Sequence, residues 1–435
     1  MMVEEVTQRE GLPYPIGLHR IVCFGDYGLY LIGGATYRGN GSGAASSSNQ
    51  LYNGQMYKFN LSTKKWTKMR SLIPQFTDEH AAMVSVKRRP ESKKVVLVSR
   101  CAAFLDRRRM IVAGGRLLND DFNVASYSTY VYDVVSETTT ELSTKVGDDS
   151  KTAVRLPTEH RDFFDQTMLK WNDTYVVCSR ILDQRNGRKR FLFHLLEIYE
   201  NEAEQGVSGA SIGWKDISPR QSESGSLDEP VAGDLCELAI YDRFVYCIDK
   251  NDAENCLDVQ WRFDLAGRRW EYVESVPDSS APDPKLVSAS GTHGKPIDRM
   301  FTSCVTYGDS VYVVAGSAMT WAGPRSNPVL ADIWRLHLPT LQWSLLPARL
   351  PEGLWFHSVD VSTSGCMYVF GGFTDLAGRK PTQKLWRVYL DTPPTLSSMC
   401  WRLVLKMNDF KLDENDDDEL RNMRVPFCYV SALRW

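Results

Sequence analysis

Residues 311–343 read VYVVAGSAMTWAGPRSNPVLADIWRLHLPTLQW, and residues 367–390 return to the same theme with MYVFGG and then KLWRVYL. Each unit is a short β-branched and aromatic run ending in glycine, a polar loop, an aromatic strand-like segment and a Trp. Working outward, LYLIGG ends at Gly34 and is followed by MYKFNLSTKKW to Trp66. MIVAGG ends at Gly115 and is followed by TYVYDVVSETTTEL, which lacks the Trp. Two degenerate units stand between: TYVVCS to Ser179 with FLFHLLEIY and Trp214, and FVYCID to Asp249 with WRFDLAGRRW to Trp270. Short apolar runs bounded by Gly, Asp and Asn are strand signals.

A repeated four-strand unit of this kind predicts an all-β, six-bladed β-propeller. NLSTKKW, DLAGRRW and LPTLQW read as tight hairpin turns between the third and fourth strands of a blade. The glycine pair closes a buried inner strand where backbones crowd and a Cβ has no room. The Trp residues are expected between neighbouring sheets, each ring filling a wedge. The last residues of the glycine-ended runs, 34, 115, 179, 249, 316 and 372, average about 68 apart. A repeat of ~50 residues would suffice. The excess falls in 39–50, 88–106, 200–211, 220–230 and 277–294. All but 88–106 are polar and Gly/Ser-rich, and loops gathered on one rim are the usual binding surface.

Composition narrows the function classes. With 51 Lys and Arg against 54 Asp and Glu, the net charge of −3 gives no basic field for nucleic acid. RNGRKR at 185–190 is a single basic cluster in a hairpin loop. No apolar stretch reaches membrane-spanning length, and MMVEEVTQRE is too acidic for a signal peptide. The ten cysteines stand singly with no CxxC, which predicts reduced thiols in the cytoplasm or nucleus and no metal. There is no GxSxG, P-loop or HExxH, and the seven His are scattered, so no cofactor and no enzyme activity are expected.

The repeat resembles the kelch repeat. The segment 331–372, with its Asp-Ile-Trp strand, its Trp-Phe-His approach and its Gly-Cys-Met-Tyr strand, is similar to the kelch domain-containing protein 10 family. The similarity continues through KLWRVYLDTPPTLSSMCWRLVL and covers about a third of the chain clearly. The resemblance implies a substrate receptor of a cullin-RING ubiquitin ligase, with elongin B/C and cullin-2 as partners and a protein client read at its C-terminus. It implies a propeller over 1–392, then a BC-box-like helix and tail over 393–435.

Thr395-Leu396, Cys400 and Val404 satisfy the adaptor motif of that family. On a helix, Leu396, Met399, Cys400, Leu403 and Val404 form one apolar stripe, with Thr395 as N-cap after Pro393-Pro394. The same stretch also reads as a strand, with Trp401 closing blade six. If it is a helix, Met2–Thr7 must supply the outer strand of that blade. Val425-Pro426 is the cullin-box candidate, after the acidic run LDENDDDEL. For the client, Arg299, Arg161 and His357 match the basic and His positions before the inner strands, and His19-Arg20 match approximately. Trp321 and Arg325 are candidate loop contacts. Gly233-Asp234-Leu235-Cys236 departs from the family's basic, His-containing segment, which leaves a different client open. The competing reading is a kelch scaffold for a partner such as actin, without a ligase.

Overall fold

The computed structural model describes residues between Met2 and Leu390. Outside the description lie 1, 7–16, 18, 38–49, 53–55, 70–83, 86–93, 97–101, 105, 107, 114–115, 119–123, 126–128, 145–162, 184–187, 201–209, 220–229, 231–235, 252–255, 281–293, 319–327, 376–379 and 391–435. The Gly114-Gly115 pair, Trp401 and the whole 393–435 extension therefore lie outside the described residues, and every described element is a strand.

Six antiparallel sheets form six blades of a propeller. Blade one runs from the axis outward as Arg20–Phe24, Gly28–Ile32, Met56–Asn60 and Lys65–Met69. Blade two begins at Ala102–Phe104, blade three at Phe163–Trp171, blade four at Glu237–Tyr241, blade five at Ser303–Tyr307 and blade six at Ser358–Val361. Each of these innermost strands adjoins the next, and that of blade six adjoins that of blade one, so the ring is closed. The glycine-ended runs are the second strand of each blade, one step out from the axis.

Apolar side chains alternate across each strand and bury one set against each neighbouring blade. The core is consequently six separate layers, one per blade interface. Between blades five and six lie Val314, Ile333, Val369 and Trp386; between six and one, Leu29, Phe59, Trp66 and Phe370. Each repeat Trp faces the preceding blade, as the wedge argument requires: Trp66 toward six, Trp214 toward two, Trp270 toward three and Trp343 toward four. The layer between blades one and two contains none of these Trp rings, matching the blade-two repeat that lacks one.

The hairpin turns follow one recipe. Asn60 Oδ1 accepts the Ser62 and Thr63 N–H groups, and Asp133 Oδ1 accepts those of Val135 and Ser136. Lys64, Glu137, Arg268 and Leu341 then take the left-handed conformation, φ 53–60°, at equivalent places in blades one, two, four and five.

Ring closure joins the two ends of the propeller chain. Val3–Glu5 pairs antiparallel with Leu385–Tyr389 as the outer strand of blade six, with Val3 opposite Val388 and Glu5 opposite Trp386. Glu4 accepts hydrogen bonds from Arg387 and, at 2.8 Å, from the Tyr389 hydroxyl. Val6 is buried in the layer between blades six and one.

The connections add structure that sequence periodicity does not announce. Two small three-stranded sheets extend the hairpins of blades one and two. Val84–Ser85 and Lys94–Val96, both from the connection between those blades, supply their third strands. Lys94–Val96 comes from the one apolar insertion. Blade three gains a fifth strand, Ser143–Thr144, parallel to Ala210–Asp216.

Candidate functional site

The two rims of the propeller differ. One carries the tight turns. The other carries the glycine ends and the strand ends that the long connections join, such as Met69 and Ala102, Thr144 and Phe163, and Ala318 and Val329. The insertion at 201–209 is the exception: it joins Glu200 to Ala210 on the tight-turn rim.

On the insertion rim, polar bonds stitch blades five, six and one together around the axis. His19 Nε2 lies 3.1 Å from the Phe370 carbonyl, and Arg20 Nη1 donates to the Val359 carbonyl at 3.3 Å. Ser358 Oγ accepts the Ile21 N–H at 3.0 Å, and Ser303 Oγ donates to the His357 carbonyl at 2.7 Å; toward the tight-turn end of the same strands Asp360 accepts the Cys23 N–H.

Beside these bonds sits an aromatic group. Phe301 and Phe356 are half-buried, with ring centroids 3.9 Å apart, and Trp355 and Phe373 pack behind them. Both Phe residues hold a left-handed backbone, φ 56° and 55°, and Phe356 N–H donates to the Phe301 carbonyl. Bulky residues rarely adopt that conformation, and its cost of ~1–3 kcal/mol persists only where the surroundings impose it. Here it turns two rings out beside the innermost strands. Sequence reasoning missed this pair. The signal lay in two parallel quartets, Met300-Phe301-Thr302-Ser303 and Trp355-Phe356-His357-Ser358, each just before an innermost strand.

The expected client contacts fall differently. The Arg299 side chain is fully buried and holds Asp332 through two parallel hydrogen bonds, while also donating to the Ala315 and Ile297 carbonyls. Burial pushes the Asp332 carboxyl up, but the Arg299 charge and the bonds from Arg299 and Trp334 outweigh it and hold it below the usual range. Arg299 thus serves an internal pair instead of presenting its charge at the rim. His357 is buried, 5% exposed, directly before Ser358. Lys295, from the same connection as Arg299, is spent internally too: its Nζ pairs with Asp258, which also accepts from Trp343 Nε1. Arg161, Trp321 and Arg325 lie outside the described residues, as do Leu396, Met399, Cys400, Leu403, Val404, Val425 and Pro426.

The tight-turn rim carries a pocket of about 260 Å³ between blades four and five, lined by Tyr241, Phe244, Tyr246, Arg262 and Leu341. The Arg262 guanidinium lies 4.0 Å over the Phe244 ring and pairs with Glu271. Among the described residues, the metal-ligand types converge in one group, Cys236, Cys247 and Asp249. No helix among them is long and apolar enough to cross a membrane.

No protein-family model matches the chain. Curated relatives do. A Drosophila melanogaster protein described as kelch domain-containing protein 10 homolog is 27% identical over 244 residues, 54% of this chain and 37% of that protein. Kelch domain-containing protein 10 of Xenopus laevis is 36% identical over 116 residues, 27% of this chain and 26% of that protein. The Homo sapiens protein of that description is 30% identical over 143 residues, 33% of this chain and 28% of that protein. The chain spans under two fifths of the length of these relatives. A solved structure described as that of YjhT aligns with a TM-score of 0.49 and 13% identity over 88% of this chain and 97% of that one. Blade architecture and sequence relatives agree: the chain is a six-bladed β-propeller, similar over part of its length to kelch domain-containing protein 10 homologues.

Proposed function

We propose that this propeller is a non-enzymatic substrate receptor of a cullin-RING ubiquitin ligase, with the client on the insertion rim and elongin C on residues 395–404. The coarser part, a protein-interaction scaffold, rests on the propeller fold and the kelch relatives. The finer part is carried by one observation. The outer edge of blade six is filled by Val3–Glu5, so the sheet does not need Trp401 and its neighbours as a closing strand. Thr395 to Val404 are then available for the apolar stripe of Leu396, Met399, Cys400, Leu403 and Val404, which suits a helix-in-groove contact.

Geometry supports the division of labour. Tyr389 ends blade six beside Met2, and Leu390 N–H donates to the carbonyl of Gly365, a tight-turn residue. The chain therefore leaves blade six on the rim opposite most of the long connections. An adaptor held there stays clear of a client on the other rim. Elongin B, cullin-2 with Val425-Pro426 as its contact, and a location in cytoplasm or nucleus belong to the same proposal.

The test is a pull-down of elongin B/C by the full chain and by a Leu396→Ala, Cys400→Ala double variant. Capture by the first and loss in the second is expected. Equal capture by both overturns the reading, and no capture by either leaves a scaffold without a ligase.

A further inference from the structure

Cys236 and Cys247 bring two thiols together inside blade four, with Sγ atoms 2.9 Å apart. Cys236 immediately precedes the innermost strand Glu237–Tyr241, and Cys247 lies on Phe244–Asn251, opposite Leu238. Both side chains face blade three in the layer formed by Val176, Phe193 and Phe263, and both are buried. Two non-bonded sulfurs do not normally rest so close. A bond of about 2.05 Å would require them to approach by less than about 1 Å.

Asp249 completes a possible ligand group, since all three ligating atoms lie within 4.8 Å of one another. Geometry opposes a cation there: tetrahedral zinc with bonds of about 2.3 Å would hold its sulfurs well beyond this separation.

We propose that Cys236 and Cys247 are a redox-modification site that forms a reversible disulfide within blade four on exposure to a hydroperoxide. One thiolate attacks a peroxide oxygen, giving a sulfenic acid as the O–O bond breaks. The second thiol attacks that sulfur and displaces water. Two thiols and one hydrogen peroxide become one disulfide and two waters; the sulfurs lose two electrons and the peroxide gains them. Burial pushes the Cys236 thiol up, so oxidation is slow at neutral pH and accelerates as pH rises. The bond fixes the start of the blade-four inner strand, Glu237–Tyr241, at the insertion rim. This inference does not depend on the ligase reading.

The experiment oxidises the reduced, folded full chain with hydrogen peroxide, blocks remaining thiols with a maleimide and maps unreduced peptides by mass spectrometry. The expected product joins the peptides holding Cys236 and Cys247, about 2 Da lighter than their sum and reversed by dithiothreitol. The urea midpoint should rise on oxidation, and Cys236→Ser or Cys247→Ser should remove both effects. Label on both thiols after oxidation, sulfinic acid at either, or a bond from either to Cys178 overturns the proposal. So does protection of both thiols by equimolar zinc or cadmium. If the serine variants do not fold, the wild-type peptide map decides alone.

Discussion

Arg299 grips Asp332 across two strands of blade five, Nη1 to Oδ1 at 2.7 Å and Nη2 to Oδ2 at 2.9 Å. The guanidinium also donates to the carbonyl of Ala315, which has a left-handed backbone, φ 52°. One side chain thus fixes the start of blade five, its second strand and its third. Arg299→Ala leaves a largely buried carboxylate without its cation, a loss of about 3–5 kcal/mol. Chemical denaturation of the two proteins measures it. The Asp332 carboxyl sits below its unfolded value, so the pair's stabilisation is fully present above about pH 4 and is lost as pH falls through the folded value. Arg299→Ala should flatten that acid limb of the stability curve.

The glycines that end the second strands of blades five and six are constrained by backbone and, to different degrees, by space. Gly372 has φ 87°, and a Cβ there would meet the Trp355 carbonyl oxygen at 2.7 Å and the His357 nitrogen at 2.8 Å. Gly316 has φ 104°, but its nearest neighbours, Met300 O and Thr302 Cβ, lie at 3.1 Å. Both alanine variants suffer strain of ~1–2 kcal/mol from the left-handed region, and Gly372→Ala adds a clash with backbone that cannot rotate away. Thermal melts should rank the proteins wild type, Gly316→Ala, Gly372→Ala in falling order. The reverse ranking would show that space at Gly372 is not the limiting factor.

Ring closure by Val3–Glu5 makes the first residues a structural part of the propeller. Deleting residues 2–6 removes Val6 from the layer between blades six and one, Val3 from that between five and six, and a ladder of main-chain hydrogen bonds. The buried Val6 at ~1.5–3 kcal/mol, the half-buried Val3 at less, and bonds at ~1 kcal/mol put the loss at several kcal/mol. The bare outer edge of Leu385–Tyr389 should also promote association. Size-exclusion chromatography and urea titration of the truncated protein read out both effects.

Blades one and five were legible because glycine end, aromatic strand and Trp recur there in order, and blade six because its glycine end and aromatic strand do. Blades three and four kept only the strand pattern, with Ser179 and Asp249 where glycine stands elsewhere, yet their sheets form because the apolar alternation survives. The small sheets were not legible: strands of two or three residues such as Val84–Ser85 carry too little periodicity. Site residues were harder. Arg299 is a basic residue before an inner strand, but its partner stands 33 positions away, and sequence does not say whether a charge faces a client or a neighbour. The Phe301 and Phe356 pair was written in two parallel quartets, but its left-handed backbone depends on packing between blades.

Trp343 tests the wedge argument. It is fully buried between blades four and five, and its Nε1–H donates to Asp258 at 3.1 Å. The same carboxylate accepts from Lys295 at 2.8 Å and from Ser275. Trp343→Ala opens a cavity the rigid sheets cannot collapse into, with an expected loss of ~3–5 kcal/mol. Trp343→Phe keeps most of the apolar volume and loses the hydrogen bond, at ~1–2 kcal/mol. If both variants lose equally in urea titrations, the bond to Asp258 outweighs the filling of the wedge.

His194 gives the propeller a second acid sensitivity, at a pH nearer neutrality than that of Asp332. It lies on Arg188–Glu200 in blade three, 4% exposed, with its ring edge-on to Trp214. Burial lowers its pKa, and the charge of Asp216, opposite it on the next strand, recovers only part of the shift. The folded protein therefore binds this proton less readily than the unfolded chain does. Stability is fully present above the unfolded value of about 6.5 and falls as pH drops from there toward the folded value, at no more than ~1.4 kcal/mol per pH unit for one proton. His194→Gln removes the titrating group while keeping a polar side chain of similar reach. Urea midpoints between pH 7.5 and 5.5 should slope less in the variant than in wild type; equal slopes would assign the sensitivity to another group.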